Sequence, residues 1–212
     1  MSLFYLVRHG ETDWNREQVF RGRLDIPLND FGRQQAQAIG EKLADAKLTA
    51  VYTSPLKRAR ETADIVARAC GLEALVQEGF IDLDFGEWQG LTQGQVRAQF
   101  PEVYRTWQGT PEAAAIPGAE PLTVVKERAV SAIMKLAERL PDARVCIVSH
   151  RVVCKLVMAW ALGLDEGAFW RIRQDTGCIN TFEYADGLPV VHTLNDACHL
   201  EGLSQRREEA DF

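Results

Sequence analysis

Short apolar runs that are typical of buried strands alternate along the chain with apolar stripes at helical spacing. Residues 3–7, 48–54 and 143–150 form such runs, and each run is followed by polar residues and then by a helical stripe. Strands that alternate with helices predict a parallel sheet covered on both faces. No internal repeat or low-complexity linker divides the pattern. We therefore expect an α/β fold, a three-layer α/β/α sandwich with a mostly parallel central sheet.

The composition fits one domain with a sizeable core. Of 212 residues, 46% are hydrophobic and 25% are charged, as in ordinary globular chains. We expect a single domain over residues 1–203 and a charged C-terminal tail over 204–212. Residues 80–120 lose the regular pattern, which predicts an irregular, lid-like excursion. Its aromatic side chains either join the core or line a substrate pocket: Trp88, Tyr104 and Trp107.

The segment from Ser54 to Gly71 carries both a start signal and a stop signal for a helix. Ser54 is predicted as the N-cap, Pro55 as the first helical residue and Gly71 as the terminator. Apolar spacing predicts further helices in three places: residues 36–43, 122–140 and 152–163.

The charge and the cysteines narrow the class of protein. A net charge of −6 argues against broad nucleic-acid binding, so a positive site has to be local. The five cysteines are widely spaced and odd in number, which favours reduced thiols and predicts a cytoplasmic location. The first residues run directly into charged ones, and no long apolar run follows. We therefore expect no export signal and no membrane partner.

Four polar side chains stand where predicted strands end. Arg8 and His9 follow the first strand, Arg58 lies in the first turn after the second strand, and His150 ends a later one. Because the carboxyl ends of parallel strands meet at one edge of a sheet, these residues can face one crevice. Two arginines, two histidines and helix-start amides form a compact cationic pocket, whose natural ligand is phosphate.

Six segments resemble, in order, successive motifs of the histidine phosphatase superfamily, also called the phosphoglycerate mutase-like fold. They are LVRHGETDWN (6–15), RGRLDIPLNDFGRQQA (21–36), SPLKRARETA (54–63), DLDFGEWQG (82–90), IPGAE (116–120) and IVSH (147–150). The resemblance continues to LNDACHL near residue 200 and so covers nearly the whole chain. One RHG triplet alone would be weak, but this ordered set is specific.

The resemblance implies a mechanism with His9 as the nucleophile. One ring nitrogen attacks phosphorus to form a phosphohistidine, which water then hydrolyses. Arg8, Arg58 and His150 are implied to surround the phosphoryl oxygens and neutralise charge in the transition state.

The resemblance also implies the remaining contacts to the substrate. The further substrate-binding candidates are Asn15, Arg21 and Gly22. No cofactor and no metal is expected, because the arginines and the second histidine take the part that magnesium plays elsewhere.

The leaving alkoxide needs a proton, which calls for an acid beside the pocket. Asp82 stands where phosphatases and mutases of the family usually carry glutamate, so Asp82 is the predicted general acid. Its side chain is one methylene shorter than the usual one. Asp84 and Glu87 are the alternatives.

Three arginines depart from the family pattern or add to it. Arg151 follows the second histidine where many relatives have glycine, and it either reaches solvent or contacts substrate. Arg21 stands where relatives often have glutamine. Together with Arg23 it favours a substrate with a second anionic group, whereas the aromatic residues of 80–120 favour a larger organic group.

Four further polar residues receive structural interpretations. Glu11 is interpreted as a helix-start acid or a partner of the site residues. Asn180 is interpreted as organising a strand. His192 and His199 lack arginine companions and are interpreted as structural.

Three functions remain open at this point. The favoured one is a phosphatase that hydrolyses a small phosphomonoester, a small phosphorylated metabolite. The second is a phosphoglycerate mutase dependent on 2,3-bisphosphoglycerate, and the third is a catalytically impaired regulatory or binding protein. Mutases of the family carry an extra basic segment after the acid motif, whereas residues 92–123 contain only Arg97 and Arg105 as basic residues ahead of the predicted helix. A homodimer is the default expectation for this fold.

Overall fold

One mixed sheet forms the centre of the protein, as the sequence predicts. The computed structural model describes residues 1–203, and the predicted tail at 204–212 lies outside them. The strands are β1 (Ser2–Arg8), β2 (Ala50–Thr53), β3 (Ala74–Val76), β4 (Arg144–Ser149), β5 (Ile179–Ala185) and β6 (Leu188–Asp196). Their order in the sheet is β3-β2-β4-β1-β5-β6. Strands β1 to β4 run parallel, whereas β5 pairs antiparallel with both β1 and β6.

Helices cover both faces of this sheet. They are α1 (Asp13–Arg16), α2 (Asp30–Ala44), α3 (Lys57–Ala69), α4 (Gln93–Gln99), α5 (Pro101–Gly109), α6 (Leu122–Arg139) and α7 (Arg151–Ala161). Apolar residues of α2 and α3 pack on one face, and those of α6 and α7 pack on the other. The predicted three-layer α/β/α sandwich is confirmed.

The central position of β4, between two layers of helices, explains why its sequence is a continuous apolar run. Cys146 and Val148 belong to the cluster under α2 and α3, whereas Val145 and Ile147 belong to the cluster under α6 and α7. Successive side chains of a strand point to opposite faces, and here both faces are covered. The polar residues that follow the strand are therefore delivered to the edge of the sheet.

The start of α3 differs from the prediction. The helix begins at Lys57, with Leu56 at the N-cap in an extended conformation. The predicted start is wrong because Ser54 and Pro55 lie before this extended residue, outside the helix. Ser54 Oγ still accepts a hydrogen bond of 3.3 Å from the Leu56 N–H. Gly71, at φ +69°, terminates the helix as predicted.

Residues 78–121 contain more helix than the sequence pattern predicts. Thr92 and Gln95 form a capping box at the start of α4, and Pro101 is the first residue of α5. Turns of 3₁₀ helix complete the segment at Glu78–Phe80, Gly86–Trp88 and Pro111–Ala113. Of the two alternatives for its aromatic residues, burial in the core is correct for the three singled out in the sequence: Trp88, Tyr104 and Trp107.

The cysteines and helices also bear on the expectations about redox state and membranes. All five cysteines are free thiols. Within residues 1–203, every helix is too short or too polar to cross a bilayer.

A close approach of two glycines joins the loop after β1 to the start of α2. A Cβ on Gly10 would lie 2.3 Å from the carbonyl oxygen of Gly32. A Cβ on Gly32 would lie 2.1 Å from the carbonyl oxygen of Glu11. Both contacts involve main-chain atoms, which no side-chain rotation relieves. Glycine at these positions therefore fixes the loop that follows His9.

We expect Gly10→Ala to lower the free energy of unfolding by about 1–3 kcal/mol, the usual cost of overpacking a close-packed region. Gly109→Ala is the matched control, because a Cβ there meets no atom within 4 Å. Urea denaturation of both variants measures the effect. Equal stability of the two variants would contradict the close contact.

Candidate active site

Arg8 is anchored at the carboxyl end of β1 by a buried pair of amides. Its Nη1 donates a hydrogen bond to the main-chain carbonyl of Gln174. The side-chain amides of Gln174 and Asn180 bond reciprocally at 2.8 Å in each direction. Asn180 Nδ2 also donates to the Leu6 carbonyl at 3.0 Å. Asn180 thus connects β5 to β1. Through its bonds to Gln174, it also supports the residue whose carbonyl binds Arg8.

His9 is held as a neutral imidazole with one nitrogen available. Its Nδ1 lies 2.6 Å from the carbonyl oxygen of Gly10. A carbonyl oxygen only accepts hydrogen bonds, so Nδ1 carries the proton and Nε2 keeps its lone pair. Burial lowers the pKa of His9 well below its usual value, and the positive charges of Arg58, Arg8 and Arg21 lower it further. The ring is therefore uncharged at pH 7.

Arg58 is fully buried in the first turn of α3. Its Nη1 donates to the Leu24 carbonyl at 2.8 Å, and its Nη2 donates to the Gly22 carbonyl at 2.7 Å. The same Nη2 lies 3.0 Å from Asp82 Oδ2. Burial lowers the pKa of Arg58, and the carboxylate of Asp82 opposes that shift. These partners fix the guanidinium plane at the edge of the sheet.

Gly22 has a conformation and an environment that require glycine. Its φ is +52°, and a Cβ would lie 2.2 Å from Gln89 Oε1. The turn presents its carbonyl to Arg58, so Gly22 contributes a main-chain contact to the site.

His150 follows β4 and stands at the N-cap of α7. Its Nε2 lies 2.6 Å from Ser54 Oγ, and its Nδ1 lies 3.6 Å from Asp82 Oδ2. Its ring centroid is 5.2 Å from that of His9. Burial lowers the pKa of His150 well below its usual value, with further lowering by Arg58 and then His9. The two histidines are thus neutral neighbours.

Among the candidate acids, Asp82 lies within this cluster. Its Oδ1 accepts a 2.9 Å hydrogen bond from the Leu83 N–H, which leaves Oδ2 facing Arg58 and His150. Asp84 instead accepts from the Gly86 N–H at 2.9 Å. Glu87 is exposed. The structure therefore brings together Arg8, His9, Arg58, Asp82 and His150.

Arg128, which the sequence did not single out, donates hydrogen bonds to the main chain around Asp82. Its Nη1 donates to the carbonyls of Gly79 at 2.9 Å and Ile81 at 2.6 Å. Its Nη2 donates to the Asp82 carbonyl at 3.0 Å. Glu120, the last residue of the IPGAE motif, holds Arg128 Nε at 2.9 Å. The sequence gives no local signal for this contact, because the carbonyls that Arg128 binds lie far from it in the chain.

Arg23 is used differently from the prediction. Its Nη2 lies 3.0 Å from Glu120 Oε2, and its Nη1 lies 3.8 Å from Asp84 Oδ2. Arg23 thus lies between two carboxylates, one of which it shares with Arg128, and these contacts reduce the positive charge that it offers to a substrate.

Asn15 and Glu11 belong to the loop that follows His9. Asn15 Oδ1 accepts from the N–H and the hydroxyl of Thr12 at 3.0 and 2.9 Å. Its buried Nδ2 has no hydrogen-bond partner among residues 1–203, which leaves a donor for a ligand. Glu11 Oε1 accepts from Asn29 Nδ2 at 2.8 Å, which ties the loop to the N-cap of α2.

Arg21 and Arg151 lie together beside the cluster. Arg21 is 7% exposed and Arg151 is 5% exposed, so Arg151 does not reach into solvent. Both line a small cavity together with Asp82 and Phe85. The sequence gives no indication that Phe85 lies there. Burial lowers the pKa of Arg21 well below its usual value, and Arg8, Arg58 and Arg151 lower it further.

The two remaining histidines contact other parts of the protein. His192 Nε2 lies 3.5 Å from Glu183 Oε2, and His199 Nε2 lies 3.0 Å from the Gly177 carbonyl. Neither contact involves the cluster of His9 and Arg58.

A comparison with models of protein families shows the family to which the chain belongs. The model described as "Histidine phosphatase superfamily (branch 1)" matches residues 4–197. The chain belongs to this superfamily. The match confirms the family that the sequence motifs indicate.

Individual relatives of the superfamily agree with this membership. Phosphoserine phosphatase 1 of Hydrogenobacter thermophilus is 32% identical over 200 residues, which cover 94% of this chain and 95% of the relative. Phosphoglycerate mutase-like protein 4 of Arabidopsis thaliana is 39% identical and is covered to 86%, with 92% of this chain aligned. The structure of YhfR from Bacillus stearothermophilus superposes with a TM-score of 0.91 at 31% identity, covering 95% of this chain and 100% of that one. The superfamily relatives thus include phosphatases and a mutase-like protein.

We expect the ring of His9 to remain neutral at pH 6, where an ordinary histidine is largely protonated. The proton then binds only at lower pH, because the pKa in the folded state is lowered. Arg58→Gln removes one of the positive charges and should raise this pKa. Nitrogen NMR of selectively labelled histidine follows the titration.

Arg60→Gln provides the control, because Arg60 is exposed on the same helix. Its replacement should leave the titration of His9 where it is. A wild-type ring half protonated at pH 6.5 would show that neither burial nor the arginines lower its pKa.

Proposed function

We propose that this protein is a phosphatase that hydrolyses a small phosphomonoester through a phosphohistidine on His9. The observation that carries the proposal is a neutral imidazole whose Nε2 has no partner among residues 1–203, buried among the guanidinium groups of Arg8 and Arg58. A nucleophile of this kind needs a lone pair, and a phosphoryl dianion needs positive charge around it. Both requirements meet within one cluster.

In the first step, His9 Nε2 attacks phosphorus and the bond from phosphorus to the ester oxygen breaks. Arg8, Arg58 and His150 hold the phosphoryl oxygens, with the Nδ2 of Asn15 as a further donor. Asp82, in its protonated form, donates a proton to the leaving oxygen, and the alcohol departs. Charge on the oxygens is neutralised by these side chains without a metal ion or a cofactor.

In the second step, water attacks the phosphohistidine. The carboxylate of Asp82 accepts the water proton, the nitrogen–phosphorus bond breaks, and inorganic phosphate leaves His9 in its starting form. The overall reaction consumes one water and yields an alcohol and phosphate.

Substrate binding also changes the surroundings of Asp82. Without substrate, Arg58 Nη2 is shared between Asp82 Oδ2 and the Gly22 carbonyl. A phosphoryl dianion carries more charge than a carboxylate and competes for the same donor. Asp82 is thereby released from its ion pair when the substrate arrives, and its carboxyl becomes available for proton transfer.

Hydrolysis is favoured over phosphoryl return to a bound sugar acid. A mutase has to retain an anionic sugar acid between its two steps. The two basic residues that follow the acid motif, Arg97 and Arg105, are exposed, and Arg105 pairs with Glu102 at 2.8 Å. The relative named phosphoserine phosphatase adds support for hydrolysis and for a small phosphorylated metabolite as substrate.

The organisation expected from the sequence is part of this proposal. Residues 1–203 act as one catalytic domain, and residues 80–120 act as its lid, close to the leaving group. We place the protein in the cytoplasm on the basis of its free cysteines, and we expect it to act as a homodimer.

We expect His9→Ala to abolish both turnover and formation of the phosphoenzyme. Asp82→Asn should slow esters with poor leaving groups by roughly 100-fold or more, within the range of general acid catalysis, and should slow p-nitrophenyl phosphate far less. Steady-state release of inorganic phosphate from alkyl and aryl phosphates measures the difference. Equal loss on both substrate types would remove Asp82 from the role of acid.

The competing function has its own assay. The enzyme is incubated with 3-phosphoglycerate and catalytic 2,3-bisphosphoglycerate, and both 2-phosphoglycerate and inorganic phosphate are measured. Phosphate release with negligible isomerisation supports a phosphatase. Rapid isomerisation would establish a mutase, and inactivity on every substrate would favour an impaired regulatory protein.

A further inference from the structure

Ser54 places a buried hydroxyl group against the second histidine of the site. It follows directly after β2, and its side chain is fully buried. Its Oγ lies 2.6 Å from His150 Nε2 and accepts a 3.3 Å hydrogen bond from the Leu56 N–H. Because that N–H bonds to a lone pair of the oxygen, the hydroxyl keeps its own proton for donation. His150 Nε2 is the acceptor within reach.

The other ring nitrogen of His150 faces a carboxylate. Nδ1 lies 3.6 Å from Asp82 Oδ2 and is buried without a hydrogen-bond partner among residues 1–203. A neutral imidazole carries one proton, so Nδ1 is either an N–H donor or a lone pair. A lone pair there would be repelled by the negative oxygen of Asp82, whereas an N–H is attracted to it. The carboxylate therefore favours the same proton position as the hydroxyl of Ser54.

The proposed mechanism places a phosphoryl oxygen at this same position. Asp82 Oδ2 lies 3.0 Å from Arg58 Nη2 as well, so Nη2 of Arg58 and Nδ1 of His150 are directed towards one oxygen. An oxygen of a phosphoryl dianion that replaces the carboxylate accepts hydrogen bonds and donates none. His150 therefore helps to bind it only when the proton is on Nδ1.

We propose that Ser54 is a positioning residue that holds His150 in the tautomer with its proton on Nδ1, so that this N–H donates to the phosphoryl group. The inference rests on the proposed phosphatase function and deepens it. Ser54 acts through the imidazole ring and does not itself touch the substrate. Its bond from the Leu56 N–H also connects His150 to the start of α3, the helix that carries Arg58.

The tautomer can be measured directly in the ligand-free protein. Nitrogen-15 NMR of histidine-labelled wild type at pH 7 distinguishes the two ring nitrogens, and His150→Asn identifies the signals of His150 among the four histidines. We expect Nδ1 to be protonated and Nε2 to be an acceptor. Ser54→Ala removes the hydroxyl and should give a mixture of tautomers. Ser54→Thr keeps the hydroxyl and should keep the wild-type pattern.

The consequence for the phosphoryl site is measured separately. Ser54→Ala should weaken the binding of inorganic phosphate in calorimetry and lower kcat/KM for p-nitrophenyl phosphate, each by roughly 10-fold, the loss of about one hydrogen bond. Ser54→Thr should restore most of both. Ser149→Ala is the matched control, because Ser149 is an equally buried serine whose Oγ bonds to the Phe80 carbonyl at 2.8 Å. Its replacement should leave the tautomer of His150 unchanged.

The outcomes separate this inference from the function on which it rests. A proton on Nε2 of His150 in the wild type would overturn the inference, and so would a tautomer that Ser54→Ala leaves unchanged. A changed tautomer with unaltered phosphate affinity would overturn the role of Ser54 at the phosphoryl group. If the wild type hydrolyses no phosphoester but shows the expected tautomer and phosphate affinities, the phosphatase is overturned, and Ser54 is supported as a positioning residue of an anion site.

Discussion

Positive charge buried at one edge of a sheet is the constraint on which this molecule depends. Arg8, Arg21 and Arg58 lose most of their contact with water, and the surrounding residues offer few carboxylates in return. Main-chain carbonyls hold the guanidinium groups that are anchored, while the remaining donors are left for a ligand. Burial lowers the pKa of His9, and the same positive charges lower it further, so the ring is neutral. The proposed nucleophile and the proposed anion site therefore depend on one electrostatic arrangement.

The sheet makes this arrangement possible because it supplies rigid positions that side chains alone cannot. Strands β1 and β4 are parallel neighbours, and Arg8 is in register with Ser149 at their ends. His9 and His150 follow directly, so their separation is set by the distance between adjacent strands. The contact between Gly10 and Gly32 then fixes the loop that leaves this edge. Much of the precision of the site comes from main-chain geometry.

The sequence predicts this part of the molecule well. Arg8, His9, Arg58 and His150 can be placed together because the carboxyl ends of parallel strands share an edge, a rule that requires no knowledge of side-chain partners. The strand runs and most helix stripes are also local signals. The start of α3 is predicted wrongly because Ser54 offers a capping hydroxyl that lies outside the helix and bonds to His150 instead.

Residues whose roles depend on distant partners are harder to predict. Arg23 pairs with Glu120, which lies almost a hundred residues later in the chain, so the sequence around Arg23 does not indicate this contact. Arg151 begins α7 and lines one cavity with Arg21, which lies far from it in the chain. Arg128 belongs to an ordinary amphipathic helix stripe, and the sequence does not indicate that its guanidinium faces the segment of Asp82. Such pairings are set by tertiary packing, which no local pattern encodes.

Arg128 donates to the carbonyls of Gly79, Ile81 and Asp82 and so attaches this segment to helix α6. Asp82, the proposed acid, lies in a loop that is attached to α6, whereas His9, the proposed nucleophile, follows the end of a central strand. A change in the loop can thus shift Asp82 and its contact with Arg58, whereas Arg8 and His9 keep their own main-chain anchors. In this architecture, chemistry and selectivity can evolve at different rates.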